Sequence, residues 1–259
     1  MTRSTADATA CALPRILCLH GGGVNATVFR MQCRALIARL GPSLRLVFAD
    51  APFATDPHEA IVGVYGDHGP FFRWLRWQAA HPELESGDVA ARIVAACRRA
   101  MDDDAGCGAW VGVLGFSQGA KIAASLLWAQ ERLAADEQPP LLARFRFGVL
   151  MAGSPPVVRL DARVPPARHV ADAAHLSLAF DDWPEGSAGP HALGIPTVHV
   201  HGLLDPGLER HRRLLESYAR PGTARLVEWQ GSHRLPIKTR DVEAVATQIL
   251  QLAELTGAL

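Results

Sequence analysis

The sequence predicts an α/β fold: a mostly parallel central sheet of about six strands, with helices on both faces and irregular, cap-like excursions. Two observations predict it. Short apolar runs alternate with longer amphipathic segments, the pattern of repeated strand–helix units. A chain of 259 residues that is 49% hydrophobic is also long enough to bury one sizeable core, so a single domain spanning residues 1–259 is expected.

The elements follow in order. Arg15 to His20 (RILCLH) is the first strand. Asn25 can cap a helix whose Phe29, Cys33, Leu36, Ile37 and Leu40 share one face, and Gly41-Pro42 stops it. Leu44 to Ala49 is the second strand. The stretch from Asp50 to Glu85 has no period of its own, and loops of that length are usually functional or disordered. Its Phe53, Tyr65, Phe71, Phe72, Trp74 and Trp77 bury enough surface to argue for an ordered excursion at about 52–85, folded over the active face.

Ser86 to Met101 is helical, with Val89, Ile93, Cys97 and Ala100 spaced for burial, and the acidic run Asp102-Asp103-Asp104 disfavours its continuation. Trp110 to Gly115 reads as a strand and passes directly into an alanine-rich helix ending near Leu133. Phe145 to Ala152 is a buried strand. A proline-rich second excursion occupies about 153–194. A strand at 195–201, a helix at 208–218, a strand at 224–229 and a final helix over about 239–255 complete the chain.

Composition narrows the function. Lys plus Arg equals Asp plus Glu, giving zero formal charge, and no cationic stretch has the footprint expected for nucleic acid or a membrane surface. The five cysteines (11, 18, 33, 97 and 107) are odd in number and lack the spacings of a zinc site or a disulfide framework. Met1 to Ala10 is polar and precedes no apolar stretch of signal-peptide length. The expectation is a cytoplasmic protein with reduced thiols, no metal and no cofactor.

Gly115-Phe116-Ser117-Gln118-Gly119 matches G-x-S-x-G between a strand and a helix. This is the context in which a sharp turn exposes a serine hydroxyl in the α/β-hydrolase fold. Such a hydroxyl needs a base to take its proton and a third group to orient that base. Asp205 follows the strand TVHVHG at its C-terminal end, where α/β sheets build their sites. A competing use is to cap the helix that begins just beyond it, and Asp181 and Asp182 are rival acids in the irregular segment. His233 follows the strand ARLVEWQ and precedes the last helix. The serine–acid–histidine order is that of this fold class. His199 and His201, within a strand, read as structural.

His20-Gly21-Gly22-Gly23 ends the first strand, and a glycine-rich turn there can present backbone N–H groups to a developing oxyanion. Gly22 is the first donor, with Gly23 the alternative and a substrate-lining position, and the backbone N–H of Gln118 is the second donor.

Together LCLHGGG, GPFFRWLRW, GVLGFSQGAKIA, HGLLDP and GSHRLP resemble the fungal serine hydrolase family of the α/β-hydrolase superfamily. That family includes the yeast family of serine hydrolases and the polyketide-releasing thioesterase of the lovastatin pathway. The resemblance spans nearly the whole chain. It implies cleavage of an acyl thioester or ester, with release of a polyketide acyl chain from the carrier domain of a synthase as the particular expectation. A general carboxylesterase is the alternative. Carried over by motif, the triad falls on Ser117, Asp205 and His233. Trp74 and Trp77, three apart, would share a face if their block were helical and could wall an acyl pocket; they serve equally well as core. Arg73 and Arg76 read as solvated, with docking of an acidic carrier as a further role.

Overall fold

A computed structural model describes residues 11–177 and 179–259; the reading of Met1–Ala10 lies outside them. Six parallel strands form the central sheet: β1 (Arg15–Leu19), β2 (Arg45–Ala49), β5 (Trp110–Phe116), β6 (Phe147–Met151), β9 (Thr197–Gly202) and β10 (Ala224–Trp229). Their order is β10-β9-β6-β5-β1-β2. All pairings are parallel. Because β1 lies between β2 and β5, the chain winds in opposite directions on its two sides. That reversal opens a crevice at the C-terminal ends of β1 and β5, where open α/β sheets place their ligands.

Alternation along the strands sorts the core into two layers. Leu17, Leu19 and Val113 pack on one face against α4 (Ser86–Asp102) and α5 (Gln118–Ala135). Ile16, Cys18 and Leu114 pack on the other face, in the layer that holds buried residues of α1 (Ala26–Gln32), α2 (Arg34–Leu40) and α7 (Thr239–Leu255). Side chains of a strand point alternately to opposite faces, so one strand feeds both layers. The single helix expected over residues 25–40 is broken at Cys33 into α1 and α2. The Asn25 cap is present, its side chain accepting from the Val28 N–H at 2.8 Å.

The acidic run after α4 has a structural use. Asp104 pairs with Arg45 at 2.6 Å and Arg15 at 3.3 Å, joining the starts of β2 and β1. Cys11 and Cys107, far apart in sequence, meet as thiols, the Cys11 sulfur donating a hydrogen bond to that of Cys107 at 3.2 Å.

Both excursions are ordered by tertiary contacts. The first holds β3 (Phe53–Thr55), α3 (Glu59–Tyr65) and β4 (Phe71–Arg73), with β3 and β4 antiparallel. Asn25 fastens it to the body of the fold by donating to the carbonyls of His68 and Pro70. The second contains β7 (Val158–Arg159) and β8 (Ala171–Asp172), paired in parallel. The remaining helix, α6 (Leu208–Tyr218), follows β9. Among the described residues no helix is long and apolar enough to cross a membrane.

Candidate active site

Ser117 stands between β5 and α5 with φ 53° and ψ −115°, a region costly for a residue with a side chain. Close packing around it explains the flanking glycines. A Cβ on Gly115 would lie 2.2 Å from the Gly119 carbonyl oxygen, and one on Gly119 would lie 2.1 Å from the carbonyl oxygen of Leu19 in β1. The turn therefore forms only where helix and strand can touch backbone to backbone.

The loop after β10 brings His233 Nε2 to 2.9 Å from Ser117 Oγ. The loop after β9 brings Asp205 Oδ2 to 2.7 Å from His233 Nδ1. With Nδ1–H donating to the carboxylate, Nε2 is left as the acceptor for the serine hydroxyl. Asp205 is 5% exposed. Burial works to raise its pKa, but hydrogen bonds from His233 and the Gly207 N–H outweigh this and hold the carboxyl below its ordinary value. The Gly207 bond closes the turn that leads into α6, but the N-cap of α6 is Gly207 itself, with no side-chain cap bond, so the competing use of Asp205 as a helix cap is not the one found. Asp182 instead binds the His169 backbone N–H and ring.

Asp205, His211 and His233 are the group among the described residues that could converge on a metal ion. The direct 2.7 Å contact between His233 and Asp205 leaves no space for an ion between them. His211 Nδ1 is 3.9 Å from the Asp205 carboxylate. His211, His201 and His199 continue as a buried row behind the acid, with ring centroids 5.8 and 6.0 Å apart. Burial pushes the three down to about 4, 4 and 3 respectively, which keeps them neutral near pH 7.

The family model described as "Serine hydrolase (FSH1)" matches residues 10–245. The chain belongs to this serine hydrolase (FSH1) family. It is 48% identical to esterase pigG of Monascus ruber over 266 residues, covering 99% of this chain and 97% of that protein. It is also 48% identical to esterase dbaE of Emericella nidulans, covering 95% and 93%. Among solved structures it resembles TT1662 from Thermus thermophilus at 19% identity and TM-score 0.55, covering 94% of this chain and 90% of the other. It resembles Zea mays acyl-protein thioesterase 2 at 15% and 0.52, covering 93% and 94%. The fold is that of the α/β hydrolases, and the chain is a serine hydrolase.

In this FSH1 hydrolase the loop after β1 is pinned on several sides. The His20 ring donates from Nδ1 to the Gly21 carbonyl and accepts at Nε2 from the Ala51 N–H, while the His20 carbonyl accepts from the Trp74 indole. Trp77 packs where a Gly22 Cβ would sit, 2.9 Å from that point. The N–H groups of Gly22 and Gln118 have no protein acceptor among the described residues. Gly23 is a correction: its N–H donates to the Phe72 carbonyl and its carbonyl accepts from the His58 N–H, so its amide is already used.

The tryptophan block is a second correction. It is not helical: β4 ends at Arg73 and the chain bends through the following residues. Trp74 is fully buried in the core and lines no cavity at Ser117. Trp77 does line one. Arg73 is buried, with its guanidinium over the Phe53 ring, and Arg76 pairs with Glu83; neither is a free surface charge. Gln118 has a side-chain role that the motif does not signal. Its amide oxygen accepts from the Trp74 and Leu75 N–H groups and its amide nitrogen donates to the Leu75 carbonyl, tying the aromatic segment to the turn.

Two hollows meet at Ser117. A groove of about 510 Å³ includes His233, Phe116, Ile61, Val64, Leu235 and Ile237. A recess of about 200 Å³ lies between the two excursions. The other large hollows, of about 450 and 570 Å³, lie along α4 and contain no serine, histidine or cysteine.

Proposed function

We propose that Ser117, His233 and Asp205 form the catalytic triad of an acyl hydrolase whose substrate is a thioester or ester. The observation that carries this reading is the run of two short contacts, 2.9 and 2.7 Å, from a half-buried serine to a buried carboxylate. His233 takes the Ser117 proton as the hydroxyl attacks the acyl carbonyl. The N–H groups of Gly22 and Gln118 stabilise the oxyanion. His233 protonates the leaving group and then activates water to free the acid. Trp77 fixes the Gly22 amide by packing on it, while Trp74 holds the loop from beneath.

The finer reading is release of a polyketide acyl chain presented by the carrier domain of a synthase. Its support is the resemblance of the motifs, together with a site shaped by two excursions and opening onto a groove of mixed lining whose apolar Val64 and Ile237 reach the surface beside Arg34 and Arg234. The alternative is a general carboxylesterase, which the names of the fungal relatives favour. Matched thioesters and oxygen esters of increasing chain length, offered free and on a carrier protein, separate the two. The carrier reading predicts higher kcat/KM for the carrier-bound thioester than for the free one. Equal rates on free and carrier-bound chains would contradict it.

A further inference from the structure

The recess between the excursions carries unbalanced positive charge. Its lining includes Lys121 and Arg210 together with Ser154, Ser177 and Trp77, and no carboxylate. Lys121 is 7% exposed, and no carboxylate of the described residues lines the recess beside it. Burial, then Arg210, push its ammonium down to about 7. Lys121 also stands in the first turn of α5 and Arg210 in the first turn of α6, where the helix dipole already disfavours cations. Burial, a like charge and a helix N-terminus all oppose a lysine here, while its ammonium shares a cavity with the Ser117 hydroxyl. A lysine placed this way gives up its proton readily and holds it most firmly when an anion enters the recess to pair with it.

We propose that this recess binds an anionic oxygen group, a carboxylate or an enolate, on the acyl portion of the substrate, with Lys121 and Arg210 as its specificity residues. This rests on the triad assigned above. His233 sets the side: it hands its proton to the leaving group and lines the groove, whose two arginines, Arg34 and Arg234, are exposed, and does not line the recess, whose Lys121 is buried. The leaving group therefore departs through the groove, and the recess holds the acyl side.

The test compares kcat/KM for the N-acetylcysteamine thioesters of glutaric acid and 5-oxohexanoic acid, which share a chain but end in a carboxylate or a neutral methyl ketone. The wild type is expected to favour the glutaryl thioester. The anionic-to-neutral ratio should fall by about 10- to 100-fold in Lys121→Met, the size of a charge-assisted hydrogen bond. It should fall by less in the exposed Arg210→Gln and be largely kept in Lys121→Arg. The ratio is insensitive to the fraction of enzyme folded, and Arg210→Gln leaves the buried core untouched. A wild-type ratio of one or below, or a ratio unmoved in both charge-removing variants, overturns the inference. Fluorophosphonate titration of the same samples separates the failures: a labelled wild type with a flat ratio sinks this inference alone, and an unlabelled one sinks the triad as well.

Discussion

At Asp205 the buried carboxylate, its Gly207 bond and its contact with His233 serve one end: an ionised group that fixes which imidazole nitrogen carries the proton. Asp205→Asn keeps the shape but offers an N–H where the histidine needs an acceptor. It is expected to lower kcat by about four orders of magnitude, checked by steady-state hydrolysis of a simple thioester; a loss under tenfold would contradict the assignment. With His211 beside it the cluster has the residue types of a metal site, but the direct His233–Asp205 contact closes it to an ion. Dialysis against EDTA is expected to leave turnover unchanged, whereas loss restored by zinc would favour the metal.

At the scale of elements, the turn depends on β1, β5 and α5 meeting at van der Waals limits. Gly119→Ala drives a methyl into the Leu19 carbonyl. It is expected to cost on the order of 3–5 kcal/mol, the exceptional end of single substitutions, measured as the shift in urea unfolding; a cost below about 1 kcal/mol would mean that strand and helix can separate freely. This turn is legible in the sequence because its glycines, flanking strand and following helix are local signals, and the strand at 224–229 and the helix around 208–218 are legible for the same reason. The excursion at 52–85 was not legible in detail. Its order comes from distant partners, Asn25 and Gln118, and periodicity carries no trace of them. Reading Trp74 and Trp77 at helical spacing assigned both to one face, whereas the bend after β4 sends one into the core and leaves the other at the site. What removes Gly23 as the alternative to Gly22 is a tertiary contact, the Phe72 carbonyl that takes its amide. Nothing local marks Lys121, since its burial and its place in the recess come from tertiary packing.

Over the whole molecule, His20, His199, His201 and His211 are buried, and desolvation holds them at about 4, 3, 4 and 4, against 6.5 when exposed. The unfolded chain therefore binds protons that the folded chain refuses. Stability is full above about pH 6.5 and falls as pH drops towards about 4. Thermal melts should show Tm nearly constant from pH 7 to 8 and declining steeply below 6.5. A flat profile down to pH 4.5 would mean that these imidazoles accept protons in place. The same four rings lie along the routes that carry the β1 loop, β9 and the start of α6 to the site, so acid is expected to disrupt the site and the fold together.

The most direct test of the central claim is intact-mass labelling with a fluorophosphonate, comparing the wild type with Ser117→Ala. The account predicts a single adduct on the wild type, mapped to Ser117 and absent from the variant. A folded wild type that takes no label, or a Ser117→Ala protein that labels as well as the wild type, would contradict it.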